Sequence, residues 1–417
     1  MNTTKKVLGI IGSGLFLVNG VTAQVTTTSQ LTGGINTITT AVPFLMICPD
    51  SRQGGMGEVG AATTPDANSI HWNGSKLVFA EKKSGVAISY TPWLRQLVPD
   101  INLAYISGYS KVSKNTAVGA SLRYFSLGNI TFTDIVGNTT GQFRPNEFAI
   151  DLSLSQKLSQ TLSMGLAMRY IYSNLTGNYT LSNGQATRPG KAVAADVSLY
   201  YQSKKFEIDG KKSVFSAGLA ITNIGQKMSY SVRKDFIPIN MRLGAGLKMN
   251  MDEYNQFGIY ADANKLLVPT PPVYQHVVDS TGRQTAEIAI DPATGAPVIA
   301  AGKDPNVSVA KGMVQSFSDA PGGGKEELRE INYSIGIEYW YAKQFAVRAG
   351  YFHEDKTKGN RKFFTVGAGV RYNVFGLDLA YLIPTTQRNP LQNTLRFTLS
   401  FDFDAFKDQN KDTPKAD

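Results

Sequence analysis

Scarcity says a good deal about this chain: among 417 residues there is one cysteine and there are three histidines. With Cys48 alone, no internal disulfide forms, and a buried or dimer-forming thiol is the plain account of it. His71, His276 and His353 lie in different regions without ligand spacing, so no zinc site follows and no metal is expected. The chain has no Gly-x-Ser-x-Gly elbow and no dinucleotide fingerprint. Gly322-Gly323-Gly324-Lys325 lacks the hydroxyl residue and the preceding strand of a phosphate-binding loop, and reads as a flexible loop. The acidic run Asp402, Asp404, Asp408, Asn410, Asp412 lacks the turn glycine and terminal glutamate of a calcium loop. No catalytic residue, cofactor or enzyme activity is expected. Also missing, beyond the N-terminus, is any apolar run near the ~18 residues of a membrane-spanning helix.

What is present points to strands. Leu395, Phe397, Leu399, Phe401 and Phe403 alternate without exception with Thr394, Arg396, Thr398, Ser400 and Asp402. A strand apolar on one face and polar on the other suits a barrel wall between lipid and a polar lumen, crossed in about 9–11 tilted residues. As the last strand it should pair with the first. The same alternation recurs through Val118–Tyr124, Phe148–Ser155, Leu162–Tyr170, Met241–Met249 and Phe364–Tyr372. These runs predict an all-β fold, a transmembrane antiparallel β-barrel of about fourteen strands. Expected positions are 85–90, 101–112, 115–127, 145–158, 161–175, 192–206, 213–222, 239–249, 255–264, 331–341, 345–353, 361–372, 375–382 and 394–403.

Link lengths agree with that reading. Tight links near Lys114, Gln160, Gly210, Asp252, Lys343 and Asn373 alternate with longer ones, as short periplasmic turns alternate with extracellular loops. The longest link, 265–330, is expected to be functional or mobile. Arg123, Arg169, Arg242, Arg348 and Arg371, with Asp151, Asp196, Asp262, Glu338 and Asp378, fall on polar faces and should pair across the lumen as a structural network. Net charge is +10, but the lysines sit in scattered turns, so solvated turn charges are expected and no nucleic acid.

The N-terminus reads as an export signal. Lys5 and Lys6 precede an apolar run from Val7 to Val18, and Val21-Thr22-Ala23 ends in a small-residue cleavage site. The expected organisation is therefore a cleavable signal peptide 1–23, an N-terminal segment 24–84, a barrel 85–403 and a periplasmic tail 404–417, in the cell outer membrane. Within the N-terminal segment, Pro43–Ala62 and Pro65–Gly74 fit no strand pattern, and a plug inside the barrel is their natural use.

Two stretches carry a resemblance, Arg52-Gln53-Gly54-Gly55-Met56-Gly57 and Asp66-Ala67-Asn68-Ser69-Ile70-His71-Trp72-Asn73. They are similar to the hatch of the long-chain fatty-acid transporter type of outer-membrane protein. Arg52, Gly54, Gly55, Gly57, Asp66 and Asn73 are the corresponding hatch positions. From Pro43 to Gly60 and on through the barrel, the chain resembles more closely the shuttle proteins of the type IX secretion system. Asn73 is followed by Gly74-Ser75 where the fatty-acid branch has Pro-Ala, which favours the secretion branch.

The resemblance implies a protein that binds the C-terminal signal domain of secreted cargo, accepts it from the outer-membrane translocon and delivers it to the surface attachment complex, among membrane lipids. Cargo would be met by exposed apolar loop residues, for which Trp93, Leu94, Phe132, Phe143, Phe236, Ile237 and Pro238 are the candidates. The alternative is a transporter of fatty acids or other hydrophobic small molecules, which predicts an apolar pocket in the barrel and a lateral opening beside a kinked strand near Gly128. A general porin would conflict with the plug.

Overall fold

Alternating strands joined by tight turns have only one way to satisfy every backbone group in lipid, which is to close on themselves. The computed structural model does so. It describes residues 34–94, 98, 100–133, 136–175, 177, 186–231, 233–280, 284–386 and 389–403. The expected signal segment 1–23 and the expected tail 404–417, with most of the acidic run, lie outside them. The chain divides into units 1–34 and 35–417, and the second holds all that follows.

Fourteen strands form the wall. The first seven are β1 (Ser84–Pro92), β2 (Ile101–Lys111), β3 (Thr116–Leu127), β4 (Asn146–Lys157), β5 (Leu162–Asn174), β6 (Gly190–Gln202) and β7 (Lys211–Gly225). The rest are β8 (Asn240–Asn250), β9 (Asn255–Leu266), β10 (Asn332–Tyr341), β11 (Phe345–His353), β12 (Lys362–Tyr372), β13 (Phe375–Pro384) and β14 (Leu395–Asp402). Each pairs antiparallel with its neighbours, and β14 closes on β1 from Gly85↔Asp402 to Tyr90↔Phe397. Every expected strand is present, with ends shifted by a few residues. The largest shift is at β6, which stops at Gln202 because Phe206–Ile208 turns to pair with Lys211–Ser213 instead.

The wall is inside out relative to a water-soluble fold. Leu152 is 65% exposed and Met168 67%, while Asp151 and Arg169 beside them are buried in the lumen. An outer face of exposed Ile, Leu, Val and Met is stable only against hydrocarbon. Aromatic side chains gather at both ends: Tyr254, Tyr341, Phe345 and Tyr372 at the short turns, Tyr90, Tyr333, Phe364 and Tyr381 towards the long loops. That is where ring bodies meet acyl chains and polar ring edges meet water. Three of the short turns use left-handed residues: Asp209 and Gly210, Ala342 and Lys343, and Asn373.

Most of the long 267–331 link is described, and it is built rather than loose. Helix Gly324–Arg329 begins in the glycine run expected to be flexible. Gly323, at φ 66, turns the chain, and two glutamates of the first helical turn take the free amides. Glu326 Oε2 accepts from Gly322 N at 2.7 Å, and Glu327 Oε1 from Asp319 N at 2.7 Å and Ala320 N at 2.8 Å.

Candidate functional site

Residues 41–80 are tied to the lumen face of the wall by side chains of both. Asp50 caps the short helix Ser51–Gly54 by accepting from Gln53 N at 2.9 Å, and its other oxygen accepts from Trp72 Nε1 at 2.7 Å. Arg52, presented by that helix, donates to both oxygens of Glu338 on β10, Nε at 2.9 Å and Nη2 at 2.8 Å. Its Nη1 reaches Asp66 Oδ2 at 2.8 Å. Asp66 also accepts from Asn68 N at 2.9 Å, the turn that leads into helix Ser69–Trp72. Asn73 caps the helical turn Gly74–Phe79 and spans from Ala61 O, at 3.1 Å, to Leu199 O of β6, at 2.9 Å.

Three glycines of the expected hatch lie in close contact with the wall, Gly57 the tightest of them. A Cβ on Gly54 would lie 2.7 Å from Arg396 Nη1, and one on Gly55 3.1 Å from Gly367 Cα. Gly57 has φ +69 and would press a Cβ against Tyr351 N at 2.6 Å and Tyr351 O at 2.7 Å.

The lumen charges pair much as their alternation predicts. Arg169 bridges Asp151 at 2.5 Å and Asp196 at 3.1 Å, and Arg348 bridges Glu338 and Asp378, both at 2.8 Å. Arg371 holds the other oxygen of Asp378 at 2.6 Å. Three of the ten depart from cross-strand ion pairing, and Arg242 is one, donating to Asn264 Oδ1 on β9 at 2.7 Å and to Trp72 O at 3.4 Å. Arg123 donates to Leu45 O at 2.6 Å and meets His71 Nδ1 at 2.5 Å, and Asp262 accepts from Gly60 N at 2.6 Å and Ala61 N at 2.9 Å. Both serve the N-terminal segment. Arg396 with Glu58, at 2.7 Å, is a pair the sequence reading missed. The polar parity of Arg396 was the signal available for one half of it, and nothing local marks Glu58. Cys48 is buried, its Sγ donating to Asp50 O at 3.3 Å, which rules out the dimer-forming role while it stays there.

The loop candidates divide. Trp93 and Leu94 are half-buried and pack together beside Phe352, Phe363 and Leu391. Phe143 is half-buried, and Phe132 lies on the ribbon Ile130–Thr133 paired with Thr139–Phe143. Phe236, Ile237 and Pro238 are not exposed, contrary to expectation. Ile237 is 1% exposed, in a cluster with Phe44, Leu45, Phe125 and Ile171 that fills the lumen at the long-loop end. They read as loop residues from the sequence because the partners that cover them come from far along the chain. Apolar side chains exposed on the long loop include instead Val314 at 75%, Phe317 at 52% and Leu328 at 64%, with Val278 and Ile290 elsewhere on it.

Nor does the wall open at Gly128. β3 pairs without a break as far as Leu127↔Ile101, and Gly128, at φ +82, turns the chain beside Asp100 after the strand has ended. The irregularity lies at Asn223 in β7, φ 62, where the register against β6 shifts between Ile221 and Ile224. Arg169 and Asp196 pin that bulge from the lumen, the latter accepting from Asn223 N at 2.7 Å. Two apolar-lined hollows, about 530 and 730 Å³, lie on the outer wall, one around Leu243 and Ile335 and one around Ile106 and Leu122. A third, about 420 Å³, lies inside the short-turn end below the N-terminal segment.

The family model for the type IX secretion system protein PorV matches residues 30–273, from the N-terminal segment through β9 and into the long loop. The chain belongs to the PorV family. The PorV family is one of type IX secretion, and the closed lipid-facing barrel supports an outer-membrane location for this member. No curated protein matches the sequence. Among solved structures, the Pseudomonas putida toluene transporter TodX is 11% identical at TM-score 0.47, covering 88% of this chain and 99% of that one. The Ralstonia pickettii toluene transporter TbuX is 12% identical at TM-score 0.43, covering 85% and 97%. A Pseudomonas aeruginosa FadL homologue is 10% identical at TM-score 0.43, covering 88% and 99%.

Proposed function

We propose that this chain carries secreted cargo at the outer membrane, binding the cargo's folded C-terminal signal domain on its long-loop face. It accepts that domain from the translocon and hands it to the surface attachment complex. Residues 41–80 act as a plug, so cargo is held outside the barrel and does not pass through it. One observation supports the reading above the rest: the lumen at the long-loop end is filled by the cluster around Phe44, Ile237 and Phe125, which leaves the loops as the surface a folded domain can meet. Exposed Val314, Phe317 and Leu328, with half-buried Trp93 and Leu94, are the contacts. Phe236, Ile237 and Pro238 support them from beneath, as when Phe236 packs under Gly312.

The test is affinity purification of the tagged protein in mild detergent with mass spectrometry of what accompanies it. Recovery of a very large outer-membrane protein and of exported proteins sharing a C-terminal domain is the expected result. Val314→Glu with Phe317→Glu should cut cargo recovery severalfold while the barrel still shows heat-modifiable migration. Recovery of the barrel alone, with bound lipid, would move the reading to hydrophobic-compound transport.

A further inference from the structure

The hollow of about 420 Å³ at the short-turn end is not used by any role derived so far. Residues of the N-terminal segment close its inner side, Asp66 and Phe79 among them, and the ends of β6 to β10 form much of its wall. Its volume falls in the range of small-ligand sites.

Cations outnumber carboxylates in its lining. Lys82, Lys205, Lys212, Lys248 and Lys343 line it, and among the described residues none of their ammonium groups has an ion pair or hydrogen bond. Lys248 stands out because it is not a turn residue: it lies within β8 at the inward parity of Arg242, half-buried, and lines this space. Of the carboxylates on the same hollow, Asp66 is engaged by Arg52 and Asp378 by Arg348 and Arg371. Glu81 and Asp402 are the other two carboxylates, set among five ammonium groups. Gln202 adds a buried Oε1 without a hydrogen-bond partner, and Phe79 and Trp340 add apolar surface.

Several cations converging in a concave site with low-dielectric walls focus a positive potential that water alone compensates poorly. A monovalent carboxylate would leave most of that charge unmet. A phosphate group carries more charge on three or more acceptor oxygens, which ammonium groups satisfy as point charges from several directions. We propose that this vestibule binds a phosphate-bearing ligand, its phosphate held by Lys212, Lys248 and Lys343 and its remainder set against Phe79 and Trp340. The phosphate belongs either to a lipid headgroup or to a soluble phosphate compound. The inference is independent of the cargo reading.

Isothermal titration calorimetry of the full chain in zwitterionic detergent tests it, with inorganic pyrophosphate and dihexanoyl phosphatidic acid as separate probes. Saturable binding is expected, weakened about tenfold or more in Lys212→Gln/Lys248→Gln. It should be unchanged in Lys114→Gln/Lys204→Gln, exposed turn lysines that do not line the hollow. Tighter phosphatidic acid binding assigns the site to lipid headgroups, and equal or tighter pyrophosphate binding assigns it to soluble phosphate. Absence of saturable binding by both probes, or equal weakening in the two double variants, overturns the proposal. Heat-modifiable migration of each variant confirms that the barrel has formed.

Discussion

Arg52 and Glu338 stand 286 residues apart and meet through two parallel hydrogen bonds of 2.9 and 2.8 Å. One belongs to the N-terminal segment and the other to the wall, so the pair fastens two parts that share no local sequence. Arg348 holds Glu338 from the opposite side at 2.8 Å, and Asp66 takes the far end of Arg52. The result is a charge relay of fixed geometry across the lumen, in which each guanidinium serves two carboxylates.

Breaking that pair should be costly. Arg52→Met leaves Glu338 with Arg348 alone and Asp66 without its cation, and removing one partner of a buried pair costs about 3–5 kcal/mol. The lower end applies, since Glu338 keeps one guanidinium. Urea titration followed by heat-modifiable migration should show the folded form of the variant lost at lower denaturant. A shift under ~0.5 kcal/mol, the range of a neutral surface change, would show that the pair does not fasten the segment.

Gly57 offers a comparison between strain and collision. Gly57→Ala meets the Tyr351 backbone at 2.6 Å, whereas Gly210→Ala, at φ +77 in a short turn, has nothing within 4 Å. The second substitution carries backbone strain alone, ~1 kcal/mol. The first must also displace the segment from β11. Gly57→Ala should destabilise the barrel clearly more than Gly210→Ala in the same titration, and equal effects would mean that the segment yields freely.

The long loop is pinned by buried ion pairs. Lys358 Nζ reaches Glu326 at 2.5 Å and Glu330 at 2.9 Å, and Lys265 Nζ reaches Glu330 at 2.6 Å and Glu327 at 3.0 Å. Lys358→Met should free helix Gly324–Arg329 and speed tryptic cleavage after Lys325 and Arg329 about tenfold, a cost of ~1.4 kcal/mol. Cleavage at the wild-type rate would show that Lys265 suffices by itself.

Asp319 gives the same loop a pH dependence. Burial pushes its carboxyl up to about 6, with Glu327 and Glu330 adding to the effect and the hydrogen bond from Thr270 opposing it. The ordered loop therefore binds this proton more tightly than an unfolded chain does. Its contribution is complete below the ordinary value of 3.8 and is lost as pH rises through about 6. Proteolysis of the loop should be faster at about pH 7.5 than at about pH 5, after correction against a peptide control. Asp319→Asn should flatten the difference, and a variant with the wild-type pH profile would assign the dependence to another group.

Period-two alternation by itself determined the wall. In a strand, side chains point alternately to the two faces, so Leu395, Phe397 and Leu399 against Arg396 and Thr398 state which face meets lipid without reference to any neighbour. Turn-forming residues such as Gly210 and Asn373 marked the ends of several strands, and both take positive φ. The parity of Arg169, Asp151 and Asp196 likewise made a lumen network legible, because antiparallel neighbours bring such residues together in register.

Only the tertiary structure decided the rest. Phe236 and Ile237 look like loop residues in sequence and are buried because Phe44, Phe125 and Ile171 converge on them from distant elements. The glycine run before Lys325 became a helix start because Glu326 folds back onto the Gly322 amide and Glu327 onto those of Asp319 and Ala320 just before it. Arg52 finds Glu338, Glu58 finds Arg396, and Lys248 is left facing a hollow, through barrel closure around the N-terminal segment. Contacts of that kind depend on which residues are brought together across the lumen, a property of the closed chain that no local period encodes.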